Sequence, residues 1–196
     1  MKILGLDVST SNVGICLIDT DDSQRHFVCL ATGIPISNKK GLYVKSCVVQ
    51  DSLIAVGKDH KIDVVVVEES LQAFRRNMSS AKTISVLNRF NGIISFIARK
   101  EFDCPVVLGN VIAVRNKIGL KLDRKSDQTT KEQVFEWVKS HENMENFIWP
   151  TKILKSGPNK GKEKFESYCY DIADAFVMAI WGAKHLKKED LDPTIV

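Results

Sequence analysis

Residues 4–19 read LGLDVSTSNVGICLID, and this stretch decides the fold. The apolar run over residues 2–7 predicts a strand, the small polar residues over 8–13 predict a tight turn, and residues 14–19 predict a second strand. A third strand is expected over residues 25–34, after another polar turn. The chain is therefore predicted to begin with an antiparallel meander of three strands.

Helices and strands alternate after this meander. Apolar spacing predicts a helix over residues 42–56, and IDVVVV at 62–67 is typical of a strand buried on both faces of a sheet. A long helix over 80–102 and a short strand over 105–108 follow. Further helices are expected over 111–117, 129–140 and 168–185. The pattern predicts a mixed five-stranded α/β sheet with helices on both faces.

Length and composition limit the organisation of the chain. Its 196 residues and 22.0 kDa suit one domain, expected over residues 1–187, with a polar tail over 188–196. With 44% hydrophobic and 27% charged residues the chain can bury a core. Its net charge of +4 permits a polyanionic partner without requiring one. Residues 150–164, rich in lysine, glycine and proline, are expected to be a basic loop without regular structure.

Five cysteines occur without any Cys-x-x-Cys pair, which predicts reduced thiols set mostly in the core. Asp7 interrupts the first apolar run, so we expect no signal peptide, and no segment approaches the length of a membrane span. The expected compartment is the cytoplasm, of a bacterium or of the host if the gene is phage-encoded.

Acidic residues stand where the predicted strands end. Asp7 closes the first strand, Glu68 and Glu69 close the β-branched strand, and Asp171 and Asp174 share one face of the last helix. If the two strands are neighbours under that helix, four carboxylates meet. Such a cluster needs compensating charge, and oxygen ligands favour Mg²⁺ or Mn²⁺. Two such ions about 3.5 to 4 Å apart are a known arrangement for phosphodiester hydrolysis.

Each acid also has an ordinary structural interpretation. Asp7 could cap a turn, Asp171 could be an acid favoured by the N-terminal end of a helix dipole, and Glu69 could face solvent. The conjunction of these acids favours the metal site.

Three segments together resemble a known family. LGLDVSTSNVGICLID, DVVVVEES (residues 63–70) and DIADAFVMAI (residues 171–180) are similar to the acidic motifs of RuvC-type Holliday junction resolvases, in the ribonuclease H-like superfamily. The D-x-A-D-A pattern is the most specific of the three. The resemblance implies a metal-binding and catalytic tetrad of Asp7, Glu68, Asp171 and Asp174 with two Mg²⁺ ions, replaceable by Mn²⁺. Glu69 is the alternative to Glu68.

The same resemblance implies further roles. Lys131 lies in a KEQV segment similar to the family's K-x-Q-V, which makes it a candidate catalytic lysine, and Lys117 is a loose match for a second basic residue. The family's homodimers insert an aromatic residue into the junction, for which Phe74 is the candidate. Lys131 could instead be an exposed helix lysine, and Phe74 a core residue. The expected activity is structure-selective cleavage of branched DNA, such as a four-way junction, leaving 5′-phosphate and 3′-hydroxyl ends.

Two departures from the family lie on the side expected to face DNA. GLKLDRKSDQTT (residues 119–130) replaces a glycine-rich stretch, and residues 150–164 resemble an insertion. Basic residues in both segments suit phosphate contacts, with Lys121, Arg124 and Lys125 in the first. The full set of candidate nucleic-acid-binding residues is Phe74, Arg75, Arg76, Lys117, Lys155, Lys160 and Lys162.

Other functions stay open at this point. A ribonuclease H-like nuclease acting on RNA–DNA hybrid or structured RNA would share the metal chemistry. A non-catalytic nucleic-acid-binding relative would share the fold. Sugar kinases and actin-like ATPases share a similar first turn, but they need two lobes and about twice this length.

Overall fold

The computed structural model describes residues 1–20, 26–70, 81–187, 189 and 191. The strands are β1 (Lys2–Val8), β2 (Asn12–Thr20), β3 (His26–Pro35), β4 (Val64–Glu68), β5 (Val106–Gly109), β6 (Thr151–Ile153) and β7 (Glu163–Phe165). The helices are α1 (Leu42–Asp59), α2 (Ala81–Phe102), α3 (Val111–Lys117), α4 (Thr130–Lys139) and α5 (Cys169–His185), with a short 3₁₀ helix at Glu142–Met144.

Five of the strands form one mixed sheet in the order β3-β2-β1-β4-β5. The β1–β2 and β2–β3 pairs are antiparallel, and the β1–β4 and β4–β5 pairs are parallel. The predicted meander and the predicted five-stranded sheet are therefore confirmed. The β1–β4 pairing also confirms that the two acid-bearing strands are neighbours.

Helices cover both faces of this sheet, as predicted. Ile3 and Val66 belong to the buried core shared with α3, α4 and α5. Leu4 and Val65 belong to a second core, shared with α1 and α2. Because side chains alternate along a strand, each strand end presents its successive residues to opposite layers.

Two glycines let α5 lie directly on the sheet. A Cβ atom at Gly5 would stand 2.1 Å from the Ala175 carbonyl oxygen, and one at Gly14 would stand 1.9 Å from the Asp171 carbonyl oxygen. Neither position could carry a larger residue without moving the helix, since both contacts are with backbone. The start of α5 is thereby held against β2.

The prediction that residues 150–164 lack regular structure is wrong. Strands β6 and β7 pair antiparallel, with Thr151 opposite Phe165. The glycines on which the prediction depended lie in the connection between the strands. Gly157 and Gly161 adopt φ values of 81° and 85° there. The base of this hairpin is anchored by aromatic contacts, since the Phe135 ring lies 5.1 Å from that of Phe165 and 4.8 Å from that of Trp149.

All five cysteines are free thiols, as predicted. Cys29 and Cys47 are exposed rather than in the core, whereas Cys16, Cys104 and Cys169 are buried. Among the helices that the structure describes, none is long and apolar enough to cross a membrane. Of the predicted tail over 188–196, only Glu189 and Leu191 lie among the described residues.

Candidate active site

Strand register places Asp7 beside Glu68. Leu6 pairs with Val67 across the parallel β1–β4 ladder, so the next residue of each strand stands at the same edge of the sheet. Side chains two residues apart on a strand point to the same face. Asp7 therefore points towards α5, as Gly5 does, and Glu68 points the same way as Val66. Glu69 has the opposite parity, and its Oε2 atom lies 3.4 Å from the Asn110 Nδ2 donor. The register therefore favours Glu68 over Glu69 as the partner of Asp7.

Helix α5 brings the second pair of acids to the same edge. Asp171 and Asp174 are both buried at 6% exposure, although they are charged residues. Asp7 is the register partner of Gly14, whose missing side chain accommodates the Asp171 backbone. The glycine contact thus sets the first turn of α5 next to the end of β1.

The turn between β1 and β2 supports this edge. The Ser9 hydroxyl donates to the Asn12 carbonyl oxygen at 2.8 Å and accepts from the Asn12 backbone N–H at 3.1 Å. Burial raises the pKa of Asp171 overall, and a hydrogen bond from the Asn12 side chain to its carboxyl group offsets a part of that rise. The polar residues of the first motif therefore shape the turn and also reach the acids.

All four predicted acids line one cavity of about 580 Å³, here called the carboxylate pocket. Its lining comprises Asp7, Ser9, Ser11, Asn12, Glu68, Arg115, Thr130, Lys131, Ser167, Tyr170, Asp171 and Asp174. The convergence predicted from the sequence is therefore present at the level of one shared pocket.

Two basic side chains enter the same pocket. An Arg115 terminal guanidinium nitrogen (Nη2) donates to Asp174 Oδ1 at 2.8 Å, and both side chains are largely buried. Lys131 Nζ lies 4.0 Å from Asp171 Oδ1 and is 62% exposed, at the rim. The buried ion pair compensates one acid strongly, while the exposed lysine is screened by water and is worth little to stability.

Burial is the main cause of unusual acidity in the pocket. Desolvation followed by the charges of Glu68, Asp174 and Asp171 raises the pKa of Asp7 well above its ordinary value. Desolvation and the Asp174 charge raise the pKa of Glu68 from 4.5 to about 7, against the opposing effects of Arg115 and Lys131. The pKa values of Asp171 and Asp174 are also raised, again mainly by desolvation. Shifts of this kind concentrate at functional sites.

The donor set suits a divalent cation. Four carboxylates with raised pKa values would be stabilised by added positive charge, and hard oxygen donors match Mg²⁺ or Mn²⁺. As they stand, no three Asp, Glu, His or Cys side chains of the described part of the chain converge tightly enough to hold one ion. Arg115 binds Asp174 through Oδ1, which leaves Oδ2 as the oxygen that a cation could take without breaking this pair.

Arg115 is the main functional residue that the sequence did not reveal. Lys117, the residue predicted instead, lies with its Nζ atom 5.9 Å from the centre of the Trp181 ring. On α3, Arg115 and Lys117 are two residues apart and so point in different directions. No local pattern in the sequence distinguishes Arg115 from Lys117, because Arg115 contacts a residue 59 positions away.

Asn91 is a second residue that the sequence did not reveal. Asn91 is buried and lies within helix α2. Its side-chain Nδ2 donates to the Glu68 carbonyl oxygen at 2.9 Å. This bond ties the end of β4 to α2 and thereby holds the backbone that carries the Glu68 carboxylate.

The remaining predicted residues lie outside the pocket or outside the described chain. Lys155, Lys160 and Lys162 are exposed on the connection between β6 and β7. Phe74, Arg75 and Arg76 lie outside the described residues, so their predicted DNA contacts stay predictions.

The raised pKa of Glu68 predicts how metal-free stability depends on pH. An acid whose pKa is higher in the folded state binds more protons folded than unfolded, so stability falls as pH rises from about 4.5 to 7. For Glu68 the loss is on the order of 3 kcal/mol. In urea unfolding with EDTA at pH 5 and pH 8, Glu68→Gln should lose less stability than wild type across this interval. Exposed Glu145→Gln is the matched control, and an equal pH dependence in Glu68→Gln and wild type would refute the buried-acid account.

Comparison with known proteins places this geometry in context. No protein-family model matches the chain. The crossover junction endodeoxyribonuclease RuvC of Aliarcobacter butzleri is 29% identical to it over 158 residues, which cover 78% of this chain and 91% of that protein. The chain is related to RuvC.

Solved structures agree with the relation to RuvC at the level of the fold. RuvC of Thermus thermophilus, in complex with a Holliday junction substrate, superposes with a TM-score of 0.61 at 15% identity, over 93% of each chain. The yeast mitochondrial Holliday junction resolvase superposes with a TM-score of 0.53 at 12% identity, over 93% of this chain and 77% of the other. The predicted ribonuclease H-like fold is confirmed.

Proposed function

We propose that this protein is a divalent-metal-dependent endonuclease that cleaves branched DNA, with the four-way junction as its main substrate. The observation that carries the proposal is the meeting of Asp7, Glu68, Asp171 and Asp174 in one pocket. Its supports are the relation to a crossover junction endodeoxyribonuclease and the fold shared with Thermus RuvC, which was solved with a junction substrate.

The metal belongs to the proposal. Asp7, Glu68, Asp171 and Asp174 would hold two Mg²⁺ ions, with Mn²⁺ as a substitute. Bound there, the ions would supply Lewis acidity for attack by water and for departure of the 3′ oxygen, which gives 5′-phosphate and 3′-hydroxyl ends.

The protein's own side chains have separable tasks. Lys131, exposed at the rim and 4.0 Å from Asp171, is placed to approach the phosphodiester and stabilise its developing negative charge. Arg115, largely buried, neutralises Asp174 in the absence of DNA. Asn91 holds the end of β4, so that the Glu68 carboxylate is positioned before substrate arrives.

An acidic pocket needs positive surroundings to hold a polyanion, and the β6–β7 hairpin is a candidate source of them. Its base is anchored by the Phe135–Phe165 and Phe135–Trp149 contacts, while its connection carries three exposed lysines. We propose that Lys155, Lys160 and Lys162 contact DNA phosphates. Lys152, on strand β6, already pairs with Glu166 at 2.8 Å and is not among the proposed DNA contacts.

Replacing Lys155, Lys160 and Lys162 by alanine should flatten the salt dependence of DNA affinity. Each lost phosphate contact lowers the slope of log K against log salt by about 0.9, so three predict a change of about 2 to 3. Fluorescence anisotropy with a labelled junction in Ca²⁺, over a series of salt concentrations, measures the slope. The control replaces exposed Lys58, Lys61 and Lys100, and equal slopes for the two triple variants would exclude the hairpin from binding.

The assembly and the compartment are proposals as well. A four-way junction has approximate two-fold symmetry and is resolved by paired cuts, which suits a homodimer with two identical active sites. The Aliarcobacter relative is bacterial, and we propose the cytoplasm, where bacterial DNA lies, as the compartment of this protein.

A side-by-side digestion tests the proposal. Four-way junction, flap, linear duplex and RNA–DNA hybrid are incubated with the full chain in Mg²⁺, Mn²⁺ or EDTA, and the products are resolved on denaturing gels. Metal-dependent cutting of the junction well above linear duplex is the expected result. Preferred cutting of the hybrid would instead indicate a ribonuclease H activity, and junction binding without cutting would indicate a non-catalytic relative. Either outcome contradicts the proposal.

A further inference from the structure

A second cavity opens beside the carboxylate pocket. It has a volume of about 650 Å³, within the range of about 300 to 1,000 Å³ typical of ligand sites. Arg115 and Thr130 line both cavities, so the two are adjacent. The second, here called the loop cavity, is lined further by Leu120, Lys121, Leu122 and Arg124.

The wall of the loop cavity is held in place by one side chain. Gln133 Oε1 accepts from the Asp123 backbone N–H at 2.8 Å, and Gln133 Nε2 donates to the carbonyl oxygens of Asp123 and Gln128 at 2.9 and 3.0 Å. A capping box between Thr129 and Glu132 fixes the far end of the loop. The segment between α3 and α4 contains no strand or helix, and these bonds hold it in place. The cavity is therefore formed before a ligand arrives.

The charges of the two cavities are opposite. The carboxylate pocket has four acids against Arg115 and Lys131, whereas the loop cavity, apart from the Arg115 that pairs with Asp174, has Lys121 and Arg124 against the single acid Asp123. A strand whose phosphate reaches the carboxylate pocket would therefore meet favourable charge for a neighbouring phosphate in the loop cavity.

The loop cavity also offers apolar surface. Leu122 is 36% exposed and Ile112 is 59% exposed, while Leu120, which lines the same cavity, is buried. Apolar side chains flanked by basic ones match the two halves of a nucleotide, a flat base and a phosphate.

We propose that the loop cavity binds one nucleotide of the cleaved strand next to the scissile phosphate, with Lys121 and Arg124 on its phosphate and Leu122 against its base. This inference rests on the proposed nuclease function and deepens it by naming a substrate subsite. It also gives a role to the segment that departs from the family's glycine-rich stretch.

Filling the cavity tests the proposal. Leu122→Trp should slow cleavage of an intact four-way junction by about tenfold or more, since the larger side chain would fill the space that the base is proposed to take. Removing the base should make room for the tryptophan. The substrates are a series of junctions, each with one abasic nucleotide at one of three positions on either side of the cut. At one of these positions, Leu122→Trp should cleave the junction at near wild-type rate. Ile54→Trp, with the same 36% exposure on α1, is the matched control.

A charge variant gives an independent measurement. Lys121→Ala/Arg124→Ala should lower the salt slope of junction binding by about 1.5 to 2, and the Lys58→Ala/Lys61→Ala pair should not. If wild type cuts no branched DNA, the proposed function itself fails. If wild type cuts junctions but Leu122→Trp gains nothing from any abasic position, or the two charge pairs show equal slopes, the loop cavity is not a nucleotide subsite.

Discussion

Asp7→Asn is expected to lower the rate of junction cleavage by at least about 10³-fold, because it removes a carboxylate that would hold the metal. Asp174→Asn should have the same effect. Both changes keep the shape of the side chain, so junction affinity in Ca²⁺ should stay within about threefold of wild type. Single-turnover cleavage in Mg²⁺ and anisotropy in Ca²⁺ separate the two quantities.

The control for this experiment is Asp51→Asn, which makes the same change at an exposed position of α1. Stability provides a second check, since the pKa of Asp7 is raised mainly by burial. Asp7→Asn should therefore be at least as stable as wild type in EDTA at pH 8. Full cleavage by Asp7→Asn would remove the proposed metal chemistry. If Asp7→Asn loses folding as well as cleavage, Glu68→Gln decides, since Glu68 has no ion pair to lose within the described part of the chain and its pKa is raised by burial.

Arg115→Met is expected to destabilise the metal-free protein by about 3 kcal/mol at pH 8, because it leaves the buried Asp174 carboxylate without its partner. Loss of Arg115 should raise the pKa of Asp174 further, so the carboxyl group takes up a proton more readily. The destabilisation should therefore shrink at pH 5. Urea unfolding in EDTA at the two pH values measures the difference.

The double variant Arg115→Met/Asp174→Asn completes a cycle for this pair. Removing the charge that Arg115 neutralises should recover most of the lost stability at pH 8, with a coupling free energy of about 2 kcal/mol or more. Mg²⁺ should also stabilise Arg115→Met more than wild type, since the ion would replace the missing cation. Additive effects of the two substitutions would show that the ion pair contributes nothing.

The acids could be predicted because their positions follow from strand and helix geometry. A β-branched run that ends in Glu68, a strand that ends in Asp7 and an i, i+3 pair on a helix each have a regular period, and the parallel β1–β4 register joins them. The choice of Glu68 over Glu69 followed from the resemblance, and strand parity supports it.

Contacts between elements far apart in the sequence could not be predicted in the same way. Arg115 reaches Asp174 over 59 residues of sequence, and Asn91 reaches the Glu68 carbonyl over 23, in both cases through tertiary packing without a local pattern. The β6–β7 hairpin was missed for a different reason. Its strands are only three residues long, and the glycines of its connection dominate the composition of the segment.

The central claim is that the four carboxylates jointly bind divalent cations. Anomalous diffraction from crystals of the full chain grown in Mn²⁺ tests it most directly. Mn²⁺ peaks are expected within coordination distance of Asp7, Glu68 and the Asp171–Asp174 pair. Mn²⁺ at saturating concentration that binds only elsewhere, with no peak between these four carboxylates, would overturn it.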